Sequence, residues 1–126
     1  MKSFLPHIQF DFKSFLNKNE FDTFFKIITD IRKQFESPPY SVSVEAGQAT
    51  ELRCLPPLGF PNPRVYWLKN GVNLDQESDT LLVSSEGHLL VGQAKLSHQA
   101  NYTCVAENIA GKRLSDPVTL TVYGKF

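Results

Sequence analysis

Few residues in this 126-residue chain are of types that carry covalent or metal chemistry. There are two cysteines, Cys54 and Cys104, and three histidines, His7, His88 and His98. The histidines do not fall at metal-ligand spacing with the cysteines, so no metal centre is expected. Ser97 adjoins His98, but a working pair needs a third group to orient the imidazole, and none is evident. Nucleophile elbows, phosphate loops and paired-carboxylate motifs are lacking. The sequence therefore reads as a non-enzyme without a cofactor, and what remains is the chemistry of two thiols. Two cysteines allow one pairing, and a bond between them would close a loop of 50 residues. Such a closure contributes roughly 4 kcal/mol in the chain-entropy account. It needs an oxidising compartment, whereas a reduced pair suits a cytosolic module. Trp67 lies between the cysteines and Tyr102 stands two residues before the second.

Thirteen basic and 13 acidic residues cancel. No global charge draws the chain to nucleic acid or to an anionic membrane. Apolar residues make up 41%, enough for a core. No run approaches the roughly 20 apolar residues of a membrane helix. Met1-Lys2-Ser3-Phe4-Leu5 starts like a signal peptide, but Pro6, His7, Gln9, Asp11 and Lys13 interrupt it, and no small-residue cleavage site follows.

The elements that position these residues change type along the chain. Eight of the ten phenylalanines lie in residues 1–36, and Ser37-Pro38-Pro39 punctuates the shift. Before it, Phe21, Phe24, Phe25, Ile28, Ile31 and Phe35 recur on one face of a 3.6-residue period, which predicts an amphipathic helix. Asn17 with Glu20 three residues later marks its start, and the two prolines its stop. After the shift the period is two: Val42 and Val44; Thr50, Leu52 and Cys54; Val65 and Trp67; Leu81 and Val83; Leu89 and Val91; Tyr102, Cys104 and Ala106; Val118, Leu120 and Val122. This alternation predicts half-buried antiparallel strands. Asn70-Gly71 and residues 108–111 are turns, and proline-rich residues 55–63 form a loop, because proline donates no ladder hydrogen bond. The chain is divided into a leader or linker over 1–36, helical or misassigned, an all-β domain over 37–123, and a short end at 124–126.

Gly59-Phe60-Pro61-Asn62-Pro63-Arg64-Val65-Tyr66-Trp67-Leu68-Lys69-Asn70-Gly71 resembles the signature of intermediate-set immunoglobulin domains, and so does Ala106-Glu107-Asn108-Ile109-Ala110-Gly111. The resemblance implies an immunoglobulin-like β-sandwich. In it Cys54 on strand B is bonded to Cys104 on strand F, Trp67 packs on the sulfurs, and Tyr102 turns the corner into strand F. Arg32-Lys33-Gln34-Phe35-Glu36, Cys54-Leu55-Pro56-Pro57-Leu58-Gly59, Gln93-Ala94-Lys95-Leu96-Ser97 and Ala100-Asn101-Tyr102-Thr103-Cys104-Val105-Ala106 further resemble the second immunoglobulin domain of the uncoordinated-5 family of netrin receptors. That implies an extracellular module of a plasma-membrane axon-guidance receptor, which meets a netrin-like protein ligand together with a neighbouring immunoglobulin domain. Three departures stand out. Residues 1–30 resemble nothing in that family, and an extracellular domain without a signal reads as a fragment or a misassembled gene model. The family's Asp six positions before the second cysteine is His98, and no Arg occupies residues 72–91 to pair with it. The family also reads residues 31–36 as extended linker, where the periodicity above reads helix; from Arg32 onward the family pattern takes precedence.

Asn101-Tyr102-Thr103 is an N-glycan acceptor, with Asn101 pointing outward from strand F. Phe60 in the proline-rich loop is a candidate aromatic anchor for a partner, and it also suits packing on its own or a neighbouring domain. Arg64, Lys112 and Arg113, with Lys69 and Lys95, form a candidate basic stripe for a partner or for sulfated glycans, the alternative being an ordinary solvated face. The rival role for the whole module is that of a structural spacer, on a cell surface or in the cytoskeleton, without ligand contact.

Overall fold

In the computed structural model the described residues are 15–74 and 81–124. His7 and the signal-like start lie outside them. Helix α1 covers Lys18–Ile28, and its predicted start is present. The Glu20 N–H donates to Asn17 Oδ1 at 2.7 Å and the Asn17 N–H to Glu20 Oε1 at 3.1 Å, a reciprocal cap. The predicted stop is corrected. The helix ends at Thr29, whose backbone is extended and whose N–H and hydroxyl both go to the Phe25 carbonyl. Ile31 and Phe35 continue the helical spacing in sequence but lie beyond the helix. Strand pairing of Asp30–Ile31 replaces intrahelical bonds there, and the chain runs on outside any helix, bending at Lys33, Gln34 and Glu36 before Ser37 bridges to Leu55.

Among the described residues eleven strands follow one another: β1 Asp30–Ile31, β2 Val42–Glu45, β3 Thr50–Leu52, β4 Gly59–Phe60, β5 Arg64–Lys69, β6 Val72–Asn73, β7 Leu81–Val83, β8 Leu89–Val91, β9 Ala100–Asn108, β10 Gly111–Leu114 and β11 Val118–Tyr123. The larger sheet of the sandwich runs β2-β11-β9-β5-β6, with β10 also on β9; the facing sheet runs β3-β8-β7; and β1 pairs with β4 as a separate two-stranded ribbon. All pairs are antiparallel except β2 with β11, which is parallel. This is an immunoglobulin-like sandwich, with β3 as strand B, β5 as C, β9 as F, and β10 with β11 as G.

The inward residues of both sheets form one buried cluster: Leu52, Cys54, Leu81, Leu89 and Val91 from one side, and Val44, Trp67, Tyr102, Cys104, Leu120 and Val122 from the other. Period-two alternation follows from the pleat, which sends successive side chains to opposite faces. Strand β11 shows it cleanly, buried at Val118, Leu120 and Val122 and exposed between. Strand β7, at the edge of its sheet, does not: Leu81 is buried but Val83 is 44% exposed. Asn70 adopts positive φ, 52°, and Gly71 follows at 83°, the geometry a two-residue hairpin between β5 and β6 requires.

Candidate functional site

The cysteines meet in the sandwich interior. Their sulfurs are 2.08 Å apart and their Cα atoms 6.6 Å, so the bond ties β9 to the end of β3. Trp67 stands directly opposite Cys104 across the β5–β9 ladder, on the same inward face. Its indole Nε1–H donates to the Gly87 carbonyl at 2.8 Å, which satisfies the one polar atom of a fully buried ring. Tyr102 is fully buried, and its hydroxyl donates to the His98 carbonyl at 2.6 Å. Burial pushes its pKa up from 10.0 to about 12. These four residues come together in the sandwich interior.

The buried histidines are structural. His88 Nδ1 accepts the Cys54 N–H at 3.0 Å, beside the disulfide. His98 Nδ1 accepts the Lys95 N–H at 3.0 Å and closes the short turn Leu96–His98, so an imidazole stands where the family pattern has Asp. Sequence reasoning gave His88 no role; its signal is only a histidine just before an inward leucine. Among the described residues no group of histidine, cysteine and carboxylate side chains could hold a metal ion.

The exposed candidates gather where the 55–63 loop meets the β9–β10 hairpin. Asn108 makes this junction. Its side-chain amide donates to Pro61 O and Asp30 O, each at 2.8 Å, while its Oδ1 accepts the N–H groups of Ala110 and Gly111. Phe60 is 61% exposed beside it, and Ile109 at the hairpin tip is also exposed. An open depression of about 320 Å3 lies between the same loop and Glu36. The basic residues divide. Arg64 lies over the Tyr66 ring at 4.8 Å and 3.5 Å from Glu107, and Lys112 faces Glu107 in register from the other side. Glu107 thus stands between the two cations, and Tyr66 also donates to it at 3.3 Å. Lys69 donates to Ser97 O at 2.9 Å. Arg113 donates to the carbonyls of Ile31 and Arg32, which no sequence pattern announced. Asn101 is exposed on β9, with Oδ1 accepting the Thr119 hydroxyl at 3.0 Å.

Residues 33–108 match the family model described as an immunoglobulin domain. The chain belongs to the immunoglobulin domain family. It is 47% identical over 96 residues to the protein named Netrin receptor unc-5 of Drosophila melanogaster, and 38% identical over 93 residues to Roundabout homolog 2 of Homo sapiens. These alignments take in 76% and 74% of this chain but only 9% and 7% of the relatives, so it spans a small part of their length. The tandem immunoglobulin repeats of Dlar superpose with a TM-score of 0.68 at 27% identity, over 73% of this chain and 48% of that one. As an immunoglobulin domain it is a non-enzymatic module. No helix among the described residues is long and apolar enough to cross a membrane.

Proposed function

We propose that this immunoglobulin domain is an extracellular recognition module of a netrin-receptor-like guidance protein at the plasma membrane. It would meet a netrin-like ligand together with a neighbouring immunoglobulin domain. The observation that carries this reading is the 47% identity over 96 residues to a protein named as a netrin receptor. The disulfide agrees with an oxidising exterior. Recognition here is a matter of surface complementarity, and the exposed Phe60 on a loop held at both ends is the natural anchor. The exposure of Asn101 on β9 supports its reading as an N-glycan acceptor. Sulfated glycans are the weaker ligand class, because Glu107 sits between Arg64 and Lys112. The second reading, a spacer that sets the angle between binding domains, is favoured by the linker contacts on this module.

The test is netrin binding by a two-domain protein holding a first immunoglobulin domain and residues 37–123. Phe60→Ala should weaken binding about tenfold, as loss of an interface anchor does. Replacing residues 37–123 by an unrelated immunoglobulin domain should abolish the module's share. Full affinity in both variants would remove the recognition reading and leave the spacer.

A further inference from the structure

We infer that the β9–β10 hairpin is a clamp for the incoming linker: Arg113 and Asn108 hold residues 30–32 as an added strand on the 55–63 loop and fix the direction in which the chain joins the sandwich. Three successive backbone carbonyls are gripped by two side chains of the hairpin. Asp30 O accepts from Asn108 Nδ2 at 2.8 Å, Ile31 O from Arg113 Nη2 at 3.0 Å, and Arg32 O from Arg113 Nε at 3.1 Å. On the other side the Arg32 N–H donates to Leu58 O at 2.8 Å, and β1 pairs with β4. Further on, Ser37 and Leu55 exchange both of their backbone hydrogen bonds.

A two-residue pairing is marginal by itself. Here three features reinforce it. The guanidinium carries its donors in a planar fork, so a single side chain reaches two adjacent carbonyls; the ammonium of a lysine lacks that fork. Ile31 is only 7% exposed and packs beside Gly111. Gly59 lets the linker lie flat on the loop: a Cβ there would stand 2.7 Å from Asp30 O and 3.1 Å from Ile31 Cα, closer than backbone tolerates. Asn108 couples this grip to the hairpin, since the amide that reaches Asp30 belongs to the residue whose Oδ1 shapes the turn. Arg113 is therefore a positioning residue for whatever lies before Asp30.

The linker carries its own reporter, the dibasic pair Arg32-Lys33, which trypsin cuts only in a locally released chain. The experiment follows tryptic cleavage and amide hydrogen exchange in the 126-residue chain and its variants. In the unaltered chain the Arg32 amide should exchange far more slowly than in an unstructured peptide, and cleavage at Arg32-Lys33 should be slow. Arg113→Ala should speed both about tenfold, the factor expected for loss of charge-assisted hydrogen bonds at a half-exposed site. The amides of β5 and β9, Trp67 and Cys104 among them, should keep their protection. Arg113→Lys should show most of the same effect, and Lys112→Ala none. Gly59→Ala sets a methyl against Asp30 O, Ile31 Cα and the Asn108 amide without touching Arg113, and should release the linker while β5 and β9 keep their protection, so it serves if Arg113→Ala unfolds the domain. Linker amides that exchange freely in the unaltered chain, or that keep their protection in both Arg113→Ala and Gly59→Ala, overturn the clamp.

Discussion

Helix α1 and strand β9 both place apolar residues at the spacing their backbone requires, and they end in opposite environments. In β9 Tyr102 and Cys104 are buried in the cluster between the two sheets. In α1 none of the 11 residues is buried, although Phe21 and Phe25 stack at 6.1 Å on its surface. The difference lies in what each element brings as cover. A strand in a sandwich has a second sheet from the same sequence, joined here by a covalent bond. The period of an amphipathic helix specifies an apolar face without specifying what covers it. Linker residues 30–37 stand between these cases: too short to be stable alone, they are covered by loops of the sandwich through side-chain donors. Periodicity reports which face is apolar; long-range partners decide whether it is buried.

The largest effect that would sharpen this contrast is loss of the disulfide. The double variant Cys54→Ala, Cys104→Ala should lose roughly 4 kcal/mol of sandwich stability, since the unfolded chain is no longer constrained across a 50-residue loop. Urea unfolding followed by Trp67 fluorescence measures it, and α1 helicity by circular dichroism should not follow. An unchanged midpoint would mean that the two sheets hold each other without the staple.

Alkaline pH tests the tyrosine corner next. Folded Tyr102 holds its proton to about 12, against 10.0 for the ordinary group. Below pH 10 both states keep the proton and stability does not depend on it. Between about 10 and 12 the unfolded chain releases a proton that the folded chain retains, so the folded state loses ground as pH rises. The loss should total roughly 2–3 kcal/mol relative to Tyr102→Phe, which lacks this slope. At neutral pH Tyr102→Phe should itself cost about 1–2 kcal/mol, because the buried His98 carbonyl loses its donor. Parallel pH profiles for the two proteins would show that the hydroxyl is more accessible than its burial indicates.

The sandwich was legible because its signals are local or pairwise. Cys54, Trp67, Tyr102 and Cys104 carry it by type and offset, and Asn70-Gly71 by turn chemistry. The start of α1 was legible for the same reason, since Asn17 and Glu20 satisfy each other within one turn. Its end was not. Ile31 and Phe35 keep the helical period, but β1 pairs with β4 nearly thirty residues away, and that tertiary pairing leaves no mark in a local window. The exposed Val83 at the edge of its sheet and the carbonyl contacts of Arg113 were hidden likewise: one depends on strand order, the other on a side chain reaching 82 positions back.

The smallest predicted effect is the most direct test of the contrast. Ile27 and Ile28 are 74% and 42% exposed in α1, so Ile27→Ser with Ile28→Ser removes little apolar area that the fold has withdrawn from water. The sandwich midpoint should move by less than about 0.5 kcal/mol, as for other surface substitutions. The same exchange at Val91 of β8, 1% exposed, should cost several times more through a cavity and an unpaired hydroxyl. Two substitutions of like chemistry thus differ in cost by where the second layer lies. A large loss from the helix pair would mean that α1 docks on the sandwich in solution, and that its apolar face and the sandwich belong to one folding unit.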